Sequence, residues 1–220
     1  GSRLVADLTA AATGALTIGA PPAISTYLLP SLLRELEASH PSIELSVRGG
    51  HSDEILEMVV RDEVQVALIR ELQHPDVVAE RVFEDELVLV CARGHRLAQR
   101  GTVTIQQVAD ERLVLFDRAS SFADTALTLF QRARLQPRAY LEMDNTEAAA
   151  QMVIRGIGVA LLPRTAITYS LAEGDLVELH LLDTPQMRRA VAAIHRRDAV
   201  LTPPALAFLE LARGLATRSP

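Results

Sequence analysis

Hydrophobic positions along the chain fall into two kinds of stretch that alternate. Short runs rich in Val, Ile and Leu read as β-strands, and longer runs with apolar residues three and four apart read as helices. A first block has "ALTIGA", a helix through "YLLPSLLRELEASH", then "IELSVRGG", a helix through "DEILEMVVRD", then "VQVALIR" and "DELVLVCA". The pattern breaks around "RGHRLAQRGTVT". A second block has "RLVLF", a helix through "SFADTALTLFQRARL", "AYLEM", a helix through "TEAAAQMVIRG" and the strand "GVALLP". The strand "AVAAIHR" and the helix "PPALAFLELARG" close the chain. Such alternation predicts α/β architecture with largely parallel sheets, here as two similar βαβ blocks in succession.

The ends of these strands carry the candidate chemistry, because ligands of open α/β sheets sit beyond the carboxyl ends of the strands. "ALTIGA" is followed by Pro21, Pro22, Ala23, Ile24, Ser25 and Thr26, within a stretch from Gly14 to Pro30 that has no charged residue. "IELSVRGG" is followed by His51, Ser52 and Asp53, and "VQVALI" ends at Arg70. "RLVLF" runs into Asp117, Arg118, Ala119, Ser120 and Ser121, and "AYLEM" into Asp144, Asn145 and Thr146. Most of these junctions start a helix, where backbone N–H groups lack intrahelical partners and the dipole favours an anion. Taken singly, Ser52, Asp53, Ser121, Asn145 and Thr146 read as helix N-caps. Their joint placement on one edge predicts a ligand cleft for a small organic anion, with Arg70 or Arg118 as counter-charge. Each helix end favours an anion by about 0.3–1 kcal/mol, or about 2 when partly buried, so several ends together suffice for a carboxylate.

Composition narrows the function classes. At 220 residues and 49% hydrophobic the chain can bury a real core, as one large domain or two lobes. A formal net charge of -6 gives no general attraction to a polyanion, so nucleic acid is not an expected partner of this stretch itself. No apolar run approaches the ~20 residues that span a bilayer, and "GSRLVADLTAAATG" lacks the apolar core of a signal peptide. Gly1 and Ser2 read as a cloning scar. The single cysteine, Cys91, lies in the apolar run "LVLVCARG" and reads as a buried thiol in a reducing cytoplasm. No hydrolase elbow, phosphate loop, zinc motif or CxxC is present, and the six histidines share no metal-ligand spacing, so neither an enzyme nor a metal or cofactor is expected. Gly156 and Gly158 follow a helix and precede a strand, the wrong order for a dinucleotide loop, so Gly156 reads as a left-handed helix cap. Glu84 and Glu86 are expected to face water ahead of an apolar strand.

These pieces, in this order and spacing, resemble the effector-binding domain of the LysR-type transcriptional regulators over Gly14 to about Gly214. "GALTIGAPPAISTYLLPSLLRELEASHPSIELSV" resembles the family's opening strand, helix and second strand, and "GGHSDEILEMVVRDEVQVALI" its next helix and strand. "ELVLVCARGHRLA" resembles the crossing into the second lobe, "EAAAQMVIRGIGVALLP" a helix with its glycine pair and strand, and "LTPPALAFLELAR" the closing helix. The resemblance implies two Rossmann-like lobes joined by two crossovers, a periplasmic-binding-protein-like (type 2) fold with the effector bound between lobes. It places lobe I at 14–92 plus 195–216 and lobe II at 93–194, with residues 1–13 as scar and the end of a linker helix. The winged helix-turn-helix that normally precedes that linker is absent from this chain, and contact with DNA is expected only through it.

Carried over by position, the resemblance assigns effector contacts to Pro22, Ala23, Ile24, Ser25, Ser52, Ser120, Ser121, Asn145 and Thr146. Ala23 stands where a Ser or Thr is common, which leaves backbone N–H groups and Ser25 to act there and hints at an effector with an apolar part. Gln65 replaces a usual Asp, at a position read as a turn. A homodimer is implied, pairing the first helix, with its Leu28, Leu29, Leu32, Leu33 and Leu36 stripe, against the helix after Ser121, with Phe122, Ala126, Leu129, Phe130 and Ala133. The basic runs Arg93–Arg100 and Arg188–Arg197 read as solvated hinge faces. The favoured function is a ligand-sensing regulatory module; the alternative is a solute-binding protein of a transporter.

Overall fold

The computed structural model describes residues 11–116, 121–182 and 184–217, which divide into two compact units. Unit 1 takes the described residues up to Glu84 together with those from Ala190 onward, and unit 2 runs from Asp85 to Arg189. Both divisions fall inside strands, β4 (Val77–Ala92) and β10 (Met187–Arg196). The boundaries implied by the resemblance, after residues 92 and 194, lie toward the far ends of the same two strands, since an unbroken apolar run does not reveal where its neighbours change.

Unit 1 begins with β1 (Gly14–Gly19), α1 (Pro22–Tyr27), α2 (Leu29–Ser39), β2 (Ile43–Arg48), α3 (Ser52–Val60) and β3 (Val66–Arg70). It ends with α8 (Pro203–Arg213), whose α-turns tighten into a 3-10 turn over Gly214–Thr217. The strand order is β2-β1-β3-β10-β4. β1 lies parallel to β2 and β3, whereas β10 runs antiparallel to β3 with Val191 opposite Arg70. Alternation along the central strands separates two cores. Val66 and Leu68 of β3 and Val191 and Ala193 of β10 join Leu32, Leu36 and Phe208 on one face, while Ala67, Ile69, Ala192 and Ile194 join Ile55 and Val59 of α3 on the other. Burial on both faces is why "VALI" reads as an unbroken apolar run.

The helix expected through "YLLPSLLRELEASH" is two helices meeting at Leu28. Pro30 sits in the first turn of α2, where its missing N–H costs nothing, but continuing α1 through it would press the ring on the carbonyl four residues back. Gln65 is more than a turn residue. Its side-chain oxygen accepts from the Thr17 amide at 2.7 Å and its own amide donates to the Thr17 carbonyl at 3.2 Å, pinning the start of β3 beside β1.

Unit 2 contains β5 (Thr102–Val103), α4 (Ile105–Ala109), β6 (Arg112–Phe116), α5 (Ser121–Arg132), β7 (Ala139–Met143), α6 (Thr146–Ile154), β8 (Ala160–Pro163), α7 (Arg164–Ala172) and β9 (Leu176–Leu181). β6 and β7 are parallel, and a parallel bridge from Leu113 to Val159 leads into β8. β8 and β9 both pair antiparallel with β4, so the expectation of largely parallel sheets holds for β1–β2–β3 and β6–β7 but not around the two long strands. Gly156 takes φ +79 after α6, the left-handed cap. Gly158 is fixed by closeness instead, since a Cβ there would collide with the Arg112 carbonyl oxygen.

The basic runs make fixed contacts while staying solvated, with 69% of the Arg93 side chain and 55% of the Arg96 side chain exposed. Arg93 donates to the Gly174 carbonyl at 2.8 Å and pairs with Asp175, Arg96 pairs with Glu111, and Arg197 donates to the Pro75 and Val77 carbonyls. Among the described residues no helix is long and apolar enough to cross a membrane.

Candidate functional site

In unit 1 the parallel strands β2, β1 and β3 are neighbours, so their carboxyl ends share one edge. The candidate residues of the first block stand there. Pro22 opens α1 behind Pro21, so the first two positions offer no N–H, and the Ser25 amide is already committed to the Pro21 carbonyl at 2.9 Å. The amides of Ala23 and Ile24 are thus the unsatisfied donors of this helix start. The Ile24 side chain is buried and packs in the unit 1 core, which confines its role at the edge to its backbone. Ser25 donates its hydroxyl to the Ala20 carbonyl at 3.3 Å.

Ser52 and Arg70 are brought together. Ser52 is 6% exposed, and its hydroxyl accepts from the Arg70 amide at 3.3 Å. His51, not Ser52, occupies the N-cap of α3, with the Glu54 carboxylate accepting from the His51 amide at 3.2 Å. Gly50 precedes them at φ +157, and a Cβ there would press on the Glu54 carboxylate. The Arg70 guanidinium has no carboxylate partner among the described residues.

In unit 2 the helices α5 and α6 follow the adjacent parallel strands β6 and β7, so Ser121 and Thr146 open neighbouring helices on one edge. Arg118 and Ser120 lie outside the described residues. Asn145 is the N-cap of α6, its side-chain oxygen accepting from the Ala148 amide at 2.8 Å, so the plain capping role accounts for it. Thr146 differs. It is 6% exposed, and its hydroxyl takes no hydrogen-bond partner among the described residues.

A third polar strand end of unit 2 was not anticipated. Beyond β8, the Thr165 amide donates to the Asp85 carboxylate at 3.3 Å and its hydroxyl donates to the same carboxylate. Arg164 donates to Glu86 at 2.8 Å and to Glu178 at 2.7 Å, and Gln186 donates to Glu86 at 2.6 Å. The acidic stretch therefore does not face water as a whole. Asp85 is buried, and burial pushes its carboxyl above the usual range against the opposing hydrogen bonds from Thr165; the hydrogen bond from Arg164 holds Glu86 below it. The "LLPRT" junction has the same strand-to-helix form as the others and was the available signal, hidden because α7 shows weak amphipathic patterning.

Comparison with known proteins follows this geometry. Residues 9–216 match the LysR substrate binding domain. The chain is 28% identical over 209 residues to the HTH-type transcriptional regulator GltR of Bacillus subtilis, covering 94% of this chain and 69% of GltR. It is 28% identical over 198 residues to the HTH-type transcriptional regulator YeiE of Escherichia coli, covering 90% and 67% of the two chains. Among solved structures, the Synechocystis CcmR regulatory domain in complex with 2-PG superposes with a TM-score of 0.83 at 22% identity, covering 94% of this chain and all of that one. The effector-binding domain of QuiR in complex with shikimate gives 0.79 at 21% identity, covering 94% of this chain and 98% of that one. These likenesses identify the fold as periplasmic-binding-protein-like type 2. The chain belongs to the LysR substrate-binding domain family, the effector-binding part of a class of transcription regulators rather than of enzymes.

Proposed function

We propose that this chain is a ligand-sensing module that holds a small organic anion between its two lobes and thereby sets the activity of a DNA-binding domain in the full protein. The observation that carries the reading is Thr146, a largely buried residue whose hydroxyl has no partner among the described residues, opening a helix at the carboxyl end of a parallel strand. Ser52, Arg70 and the amides of Ala23 and Ile24 supply a polar strand edge in unit 1, and Ser121 stands with Thr146 on that of unit 2. Shikimate, found in the QuiR domain, is itself a carboxylate. The matched relatives carry regulator names, which favours this role over a transporter's solute-binding protein and supports reading the protein as cytoplasmic.

Thermal-shift screening of small carboxylates identifies a ligand, because one present at 100 times its dissociation constant stabilises by about 2.7 kcal/mol. Calorimetry of Thr146→Ala and Arg70→Met against that ligand tests the site. Losses of roughly 1.5–3 kcal/mol are expected where a hydrogen bond to a charged group disappears. Unchanged affinity in both variants overturns the assignment. Dimerisation through α2 and α5 belongs to the same proposal and is read by light scattering, where a strict monomer counts against it. Effector and DNA binding by the full protein are expected to be coupled by about 1–3 kcal/mol, and reciprocally.

A further inference from the structure

Unit 2 has a pocket of about 520 Å³ that lies where β9 leaves β4. The β4–β9 ladder starts at Leu89 opposite Leu179, and beyond it His180 and Leu181 keep only their pairing with Thr102 and Val103 of β5 on the other edge. The strands fork, and Pro185 to Met187 line the opening. Leu181 and Met187, both only partly buried, give it an apolar lining to which the buried Leu87 and Leu89 add little open surface, and Arg164, Glu86 and Glu178 stand together at its polar end.

The hydrogen-bonding capacity at that end is only partly used. Arg164 spends Nε on Glu86 and Nη2 on Oε1 of Glu178, which leaves Nη1 without a partner among the described residues. Glu178 in turn keeps Oε2 without one, with the exposed ring of His180 at 3.9 Å from Oε1. Both groups are partly accessible, with 35% of the Arg164 side chain and 24% of the Glu178 side chain exposed. A charged donor and a charged acceptor therefore lie side by side next to an apolar wall. Two opposite charges on one small molecule, joined to an apolar tail, satisfy all three features at once. A simple anion would meet the carboxylates of Glu86 and Glu178, and a simple cation would leave Arg164 Nη1 without an acceptor.

We infer that this pocket is a second small-molecule site, for a free α-amino acid with an apolar side chain, its carboxylate on Arg164 Nη1 and its ammonium on Glu178 Oε2. The site goes beyond the effector reading and uses none of the residues on which that reading rests.

The test is calorimetry of the whole chain with L-leucine and L-phenylalanine, alongside N-acetyl-L-leucine, which lacks the cation, and L-leucinamide, which lacks the anion. Saturable binding of at least one amino acid is expected, with both leucine analogues at least about tenfold weaker than leucine, or than phenylalanine where leucine does not bind. Glu178→Gln and Met187→Trp, the second filling the pocket while leaving the charges in place, are each expected to weaken binding at least about tenfold. Thermal unfolding checks that each variant is folded, and Met187→Trp decides alone if Glu178→Gln is not. No saturable binding of either amino acid up to about 10 mM, equal binding of either analogue, or retained affinity in a folded variant overturns the inference. None of these outcomes touches the separate test on Thr146 and Arg70.

Discussion

The Arg70 amide, at the end of β3, donates to the hydroxyl of Ser52, at the start of α3, and this one bond ties two neighbouring strand-end segments together. Ser52 thus has a structural task before any ligand arrives. Ser52→Ala leaves a partly buried N–H without its acceptor and is expected to lower stability by about 1 kcal/mol, toward 3 if water cannot reach the amide. Urea unfolding measures it, and Ser52→Thr is expected to recover most of the loss.

Two glycines two residues apart are expected to respond differently to alanine. Gly156 has open space around its missing Cβ but a left-handed φ of +79, so Gly156→Ala costs about 1–2 kcal/mol of backbone strain. Gly158→Ala drives a methyl group into the Arg112 carbonyl, the amide partner of Val159, and costs at least the 1–3 kcal/mol typical of overpacking. Melting temperatures rank them, at roughly 2–4 °C per kcal/mol for a chain of this size.

Asp85 and Glu86 are adjacent in sequence and opposite in their pH dependence. Burial raises the Asp85 carboxyl, so just above the ordinary value of about 3.9 the folded chain keeps a proton that the unfolded chain has lost. Its contribution to stability therefore falls as pH rises through that window. Arg164 lowers Glu86, so its contribution is present above the ordinary value of about 4.3 and is lost as pH falls through the lower folded value. Urea midpoints measured from pH 3 to 7 are expected to show Asp85→Asn flattening the decline above pH 4 and Glu86→Gln removing part of the loss below it.

Cys91 is fully buried, and burial, followed by the charge of Glu111, pushes its thiol up to about 11. Thiolate, the reactive form, is scarce at neutral pH. Labelling by a thiol reagent at pH 7.5 is expected to be negligible in the folded chain and to follow the rate of unfolding; fast stoichiometric labelling without denaturant contradicts this.

Legibility in the sequence followed the strength of each element's periodic signal. β3 announced itself because both its faces are buried, α3 because its apolar stripe is strong, and the strand-end positions of Ser52 and Thr146 follow from those elements. β5 is two residues long, α7 has little amphipathic contrast, and the alternating "LVELHL" of β9 went unread, so the Arg164–Glu86–Glu178 cluster built on the last two was out of reach. Pairing direction was also hidden, since a buried apolar strand looks the same whichever way its neighbour runs. Nor could the pattern tell that Ile24 turns its side chain into the core while its amide stays at the edge.

The division of the chain at Glu84 and Ala190 bears on how the protein is made. Unit 2 is one continuous segment, complete once Arg189 has been synthesised, and its β4–β8, β4–β9, β5–β9 and β6–β7 pairings close within it. Unit 1 is interrupted: its central sheet needs Val191 beside Arg70 and its core takes in Phe208 together with Leu16, contacts that do not exist until residues beyond Arg189 have been translated. Of the two units, the one begun earlier is therefore the one completed later, and until it is, the apolar surfaces of β3 and α2 wait uncovered for β10 and α8.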